Sequence, residues 1–388
     1  MIKKTTESIR NFYDVLTSGM SVKELERLVN IDAKGTYEFY LRHVKPEAKQ
    51  PKSIKNVFIF CWNLFLAFLL RLTPARRLFY AIALFGLFYS FYTSELSYAF
   101  YSFLVMNFLL ALEVADKLIT KNEIDLAREI QLSLLPHELS PPRGYSLAAH
   151  SEVALNVGGD YYDLLTLSEG SSLVVIGDVS GKGMSAALYM VKVQTALQLL
   201  ARECSDPREL LIRLNRYLYG QLKKNYFLTI ALVQLFEDGT FRYCRAGHTP
   251  AVLYHPFQGH WKKLRPNGAA LGLTPSNNGG SSSPIDQAWN GQRVYETTIE
   301  TEQGELAPGD VLVLYTDGVV EGVNEGGHEF GEHRIIDVVA RNGMSSAPEI
   351  KEALLWDLIS FRGNAELRDD TTFFIIKRLD GDTTTEKI

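Results

Sequence analysis

Residues 57–112 are the segment that most narrows what this chain can become. Across 56 positions they carry four charges, Arg71, Arg76, Arg77 and Glu95. A buried helical core would need polar outer faces, and almost none are available here. The apolar runs 57–70, 78–92 and 96–112 are each a little shorter than the ~20 residues that span a bilayer comfortably. Phe85, Tyr89, Phe91, Tyr92, Tyr98 and Tyr101 gather in the middle of the region, as an interfacial aromatic belt around a short turn would. The expectation is a membrane region, 54–112, of two or three spans. The basic turn Arg71–Arg77 should face the cytoplasm and the turn 93–97, without Lys or Arg, the outside. Whatever follows residue 112 is then cytoplasmic. Lys45, Lys49, Lys52 and Lys55 ask for a cytoplasmic N-terminus as well, which fits if 57–70 lies in the interface or re-enters; the alternatives stay open.

The flanks differ in kind. Residues 1–53 are polar and read as a small helical head. Residues 113–136 place Ala115, Ile119, Leu126, Ala127, Ile130 and Leu134 at helical spacing, and Pro136 ends the run. This linker is either a helix packed on its own domain or a dimeric rod, so a homodimer through 113–136 is one reading. Residues 145–379 look like one soluble α+β domain, followed by a polar tail, 380–388. Residues 1–112 hold 14 Lys/Arg and 8 Asp/Glu, a net +6; 113–388 hold 26 and 37, a net −11, which together give the chain's −5. So acidic a domain is a poor nucleic-acid binder. The three cysteines, Cys61, Cys204 and Cys244, are too few and too scattered for a disulfide framework or a zinc site. A secretory signal peptide is not expected, because the first 50 residues lack its apolar run.

Within 145–379, strand-type runs fall at 172–177, 227–236, 240–245, 250–254, 311–315 and 372–377. Amphipathic helices fit 185–203, 207–222, 333–341 and 347–361. The segment Asn277-Asn278-Gly279-Gly280-Ser281-Ser282-Ser283-Pro284 reads as a flexible loop. Carboxylates recur at the ends of these runs, three of the four groups beside glycines: Gly158-Gly159-Asp160-Tyr161-Tyr162-Asp163, Gly177-Asp178-Val179-Ser180-Gly181-Lys182-Gly183, Thr316-Asp317-Gly318 with Glu321 beyond, and Asp369-Asp370-Thr371-Thr372. Taken alone, each is an ordinary turn or an exposed strand start. Together they would set several carboxylates at one sheet rim, where they repel one another unless a cation intervenes. Hard divalent ions favour such oxygen ligands, and a two-metal site can turn a bound water into a nucleophile at neutral pH.

Other chemistries fit less well. The segment Gly177–Gly183 has one residue too few for a nucleotide P-loop and a glycine where Ser or Thr should follow the lysine. No cysteine pairs with a histidine as a nucleophile would. His248, in Arg245-Ala246-Gly247-His248-Thr249-Pro250, is either a structural histidine or a proton donor.

In this order, the four carboxylate motifs with Ala246-Gly247-His248-Thr249-Pro250 resemble the SpoIIE/RsbU branch of the metal-dependent (PPM-type) protein phosphatases. Ala127-Arg-Glu-Ile-Gln-Leu-Ser-Leu-Leu-Pro136 is similar to that branch's entry helix. The resemblance covers roughly 120–379. It implies two packed antiparallel sheets flanked by helices, two Mn²⁺ or Mg²⁺ ions, and hydrolysis of phosphoserine or phosphothreonine by a metal-activated water. Carried over by motif, Asp178 bridges both ions, Asp317 and Asp369 complete one site, Asp160 and the Val179 carbonyl serve the other, and Asp370 is of second rank. The substrate implied is a phosphorylated regulatory protein, with an anti-sigma-factor antagonist of a partner-switching system as the leading candidate. The enzyme would be held at the cell membrane with its catalytic domain in the cytoplasm. The rival is a catalytically inactive receptor or scaffold, which the full set of carboxylates argues against. One part is not assigned: many relatives in the wider superfamily use an arginine near the start of the domain to hold phosphate, and although Arg143 lies near that start, nothing in its surroundings supports the role.

Overall fold

The computed structural model describes residues 54–379 apart from 137, 168–169, 224 and 274–293. The polar head, the loop at 277–284 and the tail 380–388 lie outside the described residues. The chain divides into two compact units, one ending at Ile119 and the other beginning at Thr120.

In the first unit each apolar run becomes a helix: α1 (Ile54–Arg71), α2 (Pro74–Thr93) and the start of α3 (Leu96–Leu134). Pro74 opens α2, where its missing N–H costs nothing, and Ser94 ends it in a left-handed conformation. Phe65 and Phe68 of α1 pack their rings on Tyr80 of α2. Arg76 near the start of α2 pairs with Glu113 (3.0 Å) and Asp116 (2.8 Å) of α3, which folds α2 and α3 into a hairpin. Phe85, Phe88, Phe91 and Tyr92 remain more than two-thirds exposed. Among the described residues, α3 is the helix long and apolar enough to cross a membrane. The third apolar run and the linker, separate stretches by composition, are one continuous helix of 39 residues, and the division between the units falls within it.

Among its described residues the second unit contains ten strands: β1 (Tyr145–Glu152), β2 (Asp160–Thr166), β3 (Ser172–Val179), β4 (Leu228–Leu235), β5 (Thr240–Ala246), β6 (Ala251–His255), β7 (His260–Leu264), β8 (Glu302–Glu305), β9 (Val311–Tyr315) and β10 (Thr371–Arg378). Its helices are α4 (Met184–Leu200), α5 (Pro207–Leu218), α6 (Val294–Thr298), α7 (Asp317–Val320), α8 (Glu332–Asn342) and α9 (Ala347–Arg362). The strands form two five-stranded sheets, β1-β10-β9-β6-β7 and β2-β3-β4-β5-β8, antiparallel throughout.

The period of two along each central strand builds three layers of core. Val174 and Ile176 of β3 meet Leu312 and Leu314 of β9 and Phe374 and Ile376 of β10 between the sheets. Their neighbours Leu173 and Val175 face α4 and α5. Val313, Phe373 and Ile375 face α8 and α9 on the opposite side. Each fully buried Val, Leu, Ile or Phe contributes about 1.5–3 kcal/mol, so these strands are fixed in register on both faces. Local signals set the helix starts. Asp206 caps α5 through the Glu209 amide (2.9 Å), and Ser346 with Glu349 forms a capping box on α9.

Candidate active site

The two sheets bring their carboxylates to one end of the sandwich. Asp160 is the first residue of β2 and stands opposite Asp178 of β3. Asp317 follows β9 and opens α7, and Asp369 and Asp370 immediately precede β10, the partner of β9. Thr316 ties the sheets together: its hydroxyl donates to Asp160 Oδ2 (2.9 Å), and it accepts from the Thr372 amide (3.1 Å). The glycines are needed for close approach. A Cβ on Gly318 would fall inside the Asp370 carbonyl, one on Gly158 inside the Asp370 carboxylate, and one on Gly159 would lie 2.7 Å from the Val179 carbonyl.

Electrostatically this is a strained group. Burial, then the charges of Asp317, Asp369 and Asp370, push Asp178 up to about 7. Burial and the neighbouring Asp178 hold Asp160 well above the usual carboxylate range. Asp317 is raised by burial and by Asp369. Asp370 is raised by burial, although the Ala154 and Gly159 amides donate to its two oxygens at 2.8 and 2.7 Å. Those two bonds make Asp370 the brace of the 154–159 loop. All donors in the group are hard oxygens, and their mutual repulsion is what a divalent cation relieves, so the residues fit such ions. Among the described residues, no three His, Cys, Asp or Glu side chains are already gathered as a group that could hold a metal ion. The carboxylates instead sit within Coulombic reach of Asp178, and Asp369 pairs with Lys182 (2.8 Å).

The six predicted ligand positions, Asp160, Asp178, Val179, Asp317, Asp369 and Asp370, thus gather at one rim. His248 does not join them. It is 3 % exposed, its Nδ1 lies 3.1 Å from the Thr229 hydroxyl, and burial together with Arg245 pushes it down to about 3. A neutral, sealed imidazole is no proton donor to a substrate. It steadies Thr229, which stands opposite Asp178 in the β3–β4 register. Asp163 is likewise structural, accepting from Tyr161 (2.8 Å) and Gln198 (2.9 Å). Arg143 is exposed just before Tyr145. Tyr145 is paired with Arg378, whereas the end of β1 near the carboxylates is Glu152, paired with Thr371. Arg143 is therefore at the wrong end of β1 to hold phosphate.

Sequence reasoning missed Gln131. It is 6 % exposed near the end of α3, donates to the Gly158 carbonyl (2.6 Å) and accepts from the Gly158 amide (3.1 Å). This amide clamps the glycine loop next to Asp160. Gln194 of α4 also donates to the Leu134 carbonyl (2.6 Å). The only available signal was Gln131's place inside the entry-helix motif.

The architecture is that of a PP2C-type phosphatase. The SiaA-PP2C domain of Pseudomonas aeruginosa superposes with a TM-score of 0.55 at 22% identity, covering 68% of this chain and 98% of that domain, and shows the same fold. The family model described as Stage II sporulation protein E (SpoIIE) matches residues 168–379, more than half of the chain. The chain belongs to the SpoIIE family, in the SpoIIE/RsbU-like branch of the PPM-type protein serine/threonine phosphatases. It is 27% identical over 259 residues to phosphoserine phosphatase RsbU of Bacillus subtilis (strain 168), covering 66% of this chain and 70% of that protein. It is 24% identical over 299 residues to protein IcfG of Synechocystis sp., covering 70% of this chain and 43% of that protein.

Proposed function

We propose that the chain is a membrane-tethered, metal-dependent phosphatase that hydrolyses phosphoserine or phosphothreonine on a regulatory protein. The observation that carries the reading is Asp178, a partly buried carboxylate at the end of β3 raised by three others that arrive from the opposite sheet. Asp178, Asp317 and Asp369 would hold one divalent ion, and Asp178, Asp160 and the Val179 carbonyl a second, Mn²⁺ or Mg²⁺. Bound ions supply a nucleophile at neutral pH and offset the charge of the phosphate dianion. The chain's own part is positioning. Thr316 and the opposite strand fix Asp160, Asp370 and Gln131 brace the Gly158–Gly159 loop, and the glycines let ligand and backbone come close.

The likeness to RsbU, itself named a phosphoserine phosphatase, supports a phosphorylated regulatory protein as substrate, of which an anti-sigma-factor antagonist is the leading case. Exposed aromatics on α2 and α3 and the length of α3 support tethering. The hairpin joins the basic turn to Glu113 and Asp116, so a membrane-crossing α2–α3 pair keeps both on one face. By the positive-inside rule that face is the cytoplasm, with the catalytic unit. The end of α3 would carry a signal to Gly158 through Gln131. Leu126 and Ile130 of that helix, both more than half exposed, offer a seam for a homodimer.

The test is hydrolysis of an aryl phosphate and a phosphoserine peptide by residues 113–388, with Mn²⁺, with Mg²⁺ and with chelator. Metal-dependent turnover, lost in Asp178→Asn, is expected. Equal turnover in chelator, or full activity in the variant, sinks the assignment.

A further inference from the structure

Lys182 is a cation at the carboxylate rim that the site as described leaves without a task. It stands between Gly181 (φ 96°) and Gly183 (φ 71°), two left-handed positions that set it on a turn of its own between β3 and α4. Its ammonium pairs with Asp369 Oδ2 at 2.8 Å and donates to the Arg368 carbonyl, yet half of the side chain is exposed. Beside it lies a cleft of about 260 Å³, lined by Gly318, Glu321, Arg362, Arg368 and Asp369 among others. The cations on the described lining are Lys182, Arg362 and Arg368. Arg362 gives both terminal nitrogens to Glu152, at 3.2 and 3.4 Å. Arg368 is exposed to solvent, and it is its carbonyl, not its guanidinium, that meets Lys182.

We propose that Lys182 is the residue that holds the phosphate of the substrate, the task for which the sequence reading assigns no arginine. The inference rests on the phosphatase reading and deepens it. Asp369 is Lys182's counter-ion and is also one of the carboxylates that would hold a divalent ion. Lys182 would compete with a divalent ion for the Asp369 oxygens and be repelled by its charge. The lysine then exchanges its carboxylate for the next anion at the rim, the incoming phosphate dianion. Lysine suits this exchange: it is a point charge with three rotatable donors on a flexible stem, and it binds phosphate without fixed fork geometry. The ion pair thus keeps the ammonium at the reacting rim, where a divalent ion held by Asp369 would free it.

The test is calorimetric titration of the detergent-solubilised full chain, first with Mg²⁺ and then, in saturating Mg²⁺, with inorganic phosphate. In Lys182→Met, Mg²⁺ affinity should be kept or tightened, because a competitor has gone, while phosphate affinity falls roughly tenfold, the scale of a charged hydrogen bond. Lys182→Arg should keep most of the phosphate affinity. Unchanged phosphate binding in Lys182→Met overturns the proposal. So does loss of Mg²⁺ binding together with phosphate binding, which would make Lys182 a support of the metal loop. Wild-type protein that binds neither Mg²⁺ nor phosphate overturns the phosphatase reading itself, before any variant is compared.

Discussion

Replacing Asp178 with Asn should make the metal-free catalytic unit more stable above neutral pH, although it abolishes activity. Burial and three neighbouring carboxylates raise Asp178 from 3.8 to about 7 in the folded protein. Its folded form therefore holds a proton more tightly than the unfolded chain does. Stability from this group is greatest below the unfolded value near 3.8 and is lost as pH rises towards about 7. At ~1.36 kcal/mol per unit, the loss reaches about 4 kcal/mol above pH 7. Asn carries no charge and escapes it. Urea unfolding of residues 113–388 in chelator should show Asp178→Asn and wild type nearly level at about pH 4, with the variant ahead by up to ~4 kcal/mol at about pH 8. Divalent metal should close most of that gap, since an ion at 100 times its dissociation constant stabilises the wild type by ~2.7 kcal/mol and the variant would have lost the proposed bridging ligand. A variant less stable than wild type at pH 8 in chelator, or a gap that does not grow with pH, would refute the electrostatic reasoning.

Two further outcomes follow from the loop around the carboxylates. Gly318→Ala would push a methyl into the Asp370 carbonyl, so it should yield insoluble protein or a transition lowered by more than ~2 kcal/mol; a melting curve indistinguishable from wild type would contradict the close approach. Gln131→Ala removes both bonds to Gly158 and should weaken Mg²⁺ binding several-fold with a stability loss of about 1–3 kcal/mol. Unaltered Mg²⁺ affinity in calorimetry would show that the α3 clamp does not reach the carboxylates.

The strands that could be read in the sequence and those that could not divide along a physical line. The six apolar runs became β3, β4, β5, β6, β9 and β10, and these are the interior strands of the two sheets. Apart from β5, where Arg242 and Arg245 interrupt the buried residues, these interior strands are buried on both faces, so their sequences are near-continuous hydrophobic runs, as Val311-Leu-Val-Leu-Tyr315 is. The strands left unread, β1, β2, β7 and β8, are the four edges. Edge strands carry polar and charged residues that discourage further pairing. β8 is Glu-Gln-Gly-Glu and β7 holds two lysines, so neither has an apolar pattern to find.

The carboxylates were legible because each stands at the end of a strand, Asp160, Asp178 and Asp317 beside a glycine and Asp369 and Asp370 as an adjacent pair, a local pattern. Thr316 and Gln131 were not, because their partners are 156 and 27 residues away, and only the folded sheets bring them together. His248 could be read two ways in the sequence, as structural or as a proton donor. It lies in a motif with the other site residues but points into the core behind Asp178, where burial keeps it neutral. Asp317-Gly318 read equally well as a plain turn; the structure makes it the first turn of α7, packed against the backbone of Asp370.

Whether the carboxylates around Asp178 hold divalent ions is tested most directly by crystallising residues 113–388 with Mn²⁺ and locating manganese by anomalous scattering. Two peaks are predicted, one between Asp178, Asp317 and Asp369, the other between Asp178, Asp160 and the Val179 carbonyl. A well-ordered crystal in millimolar Mn²⁺ with no peak at ligand distance from Asp178, about 2–2.6 Å, would contradict the two-metal account.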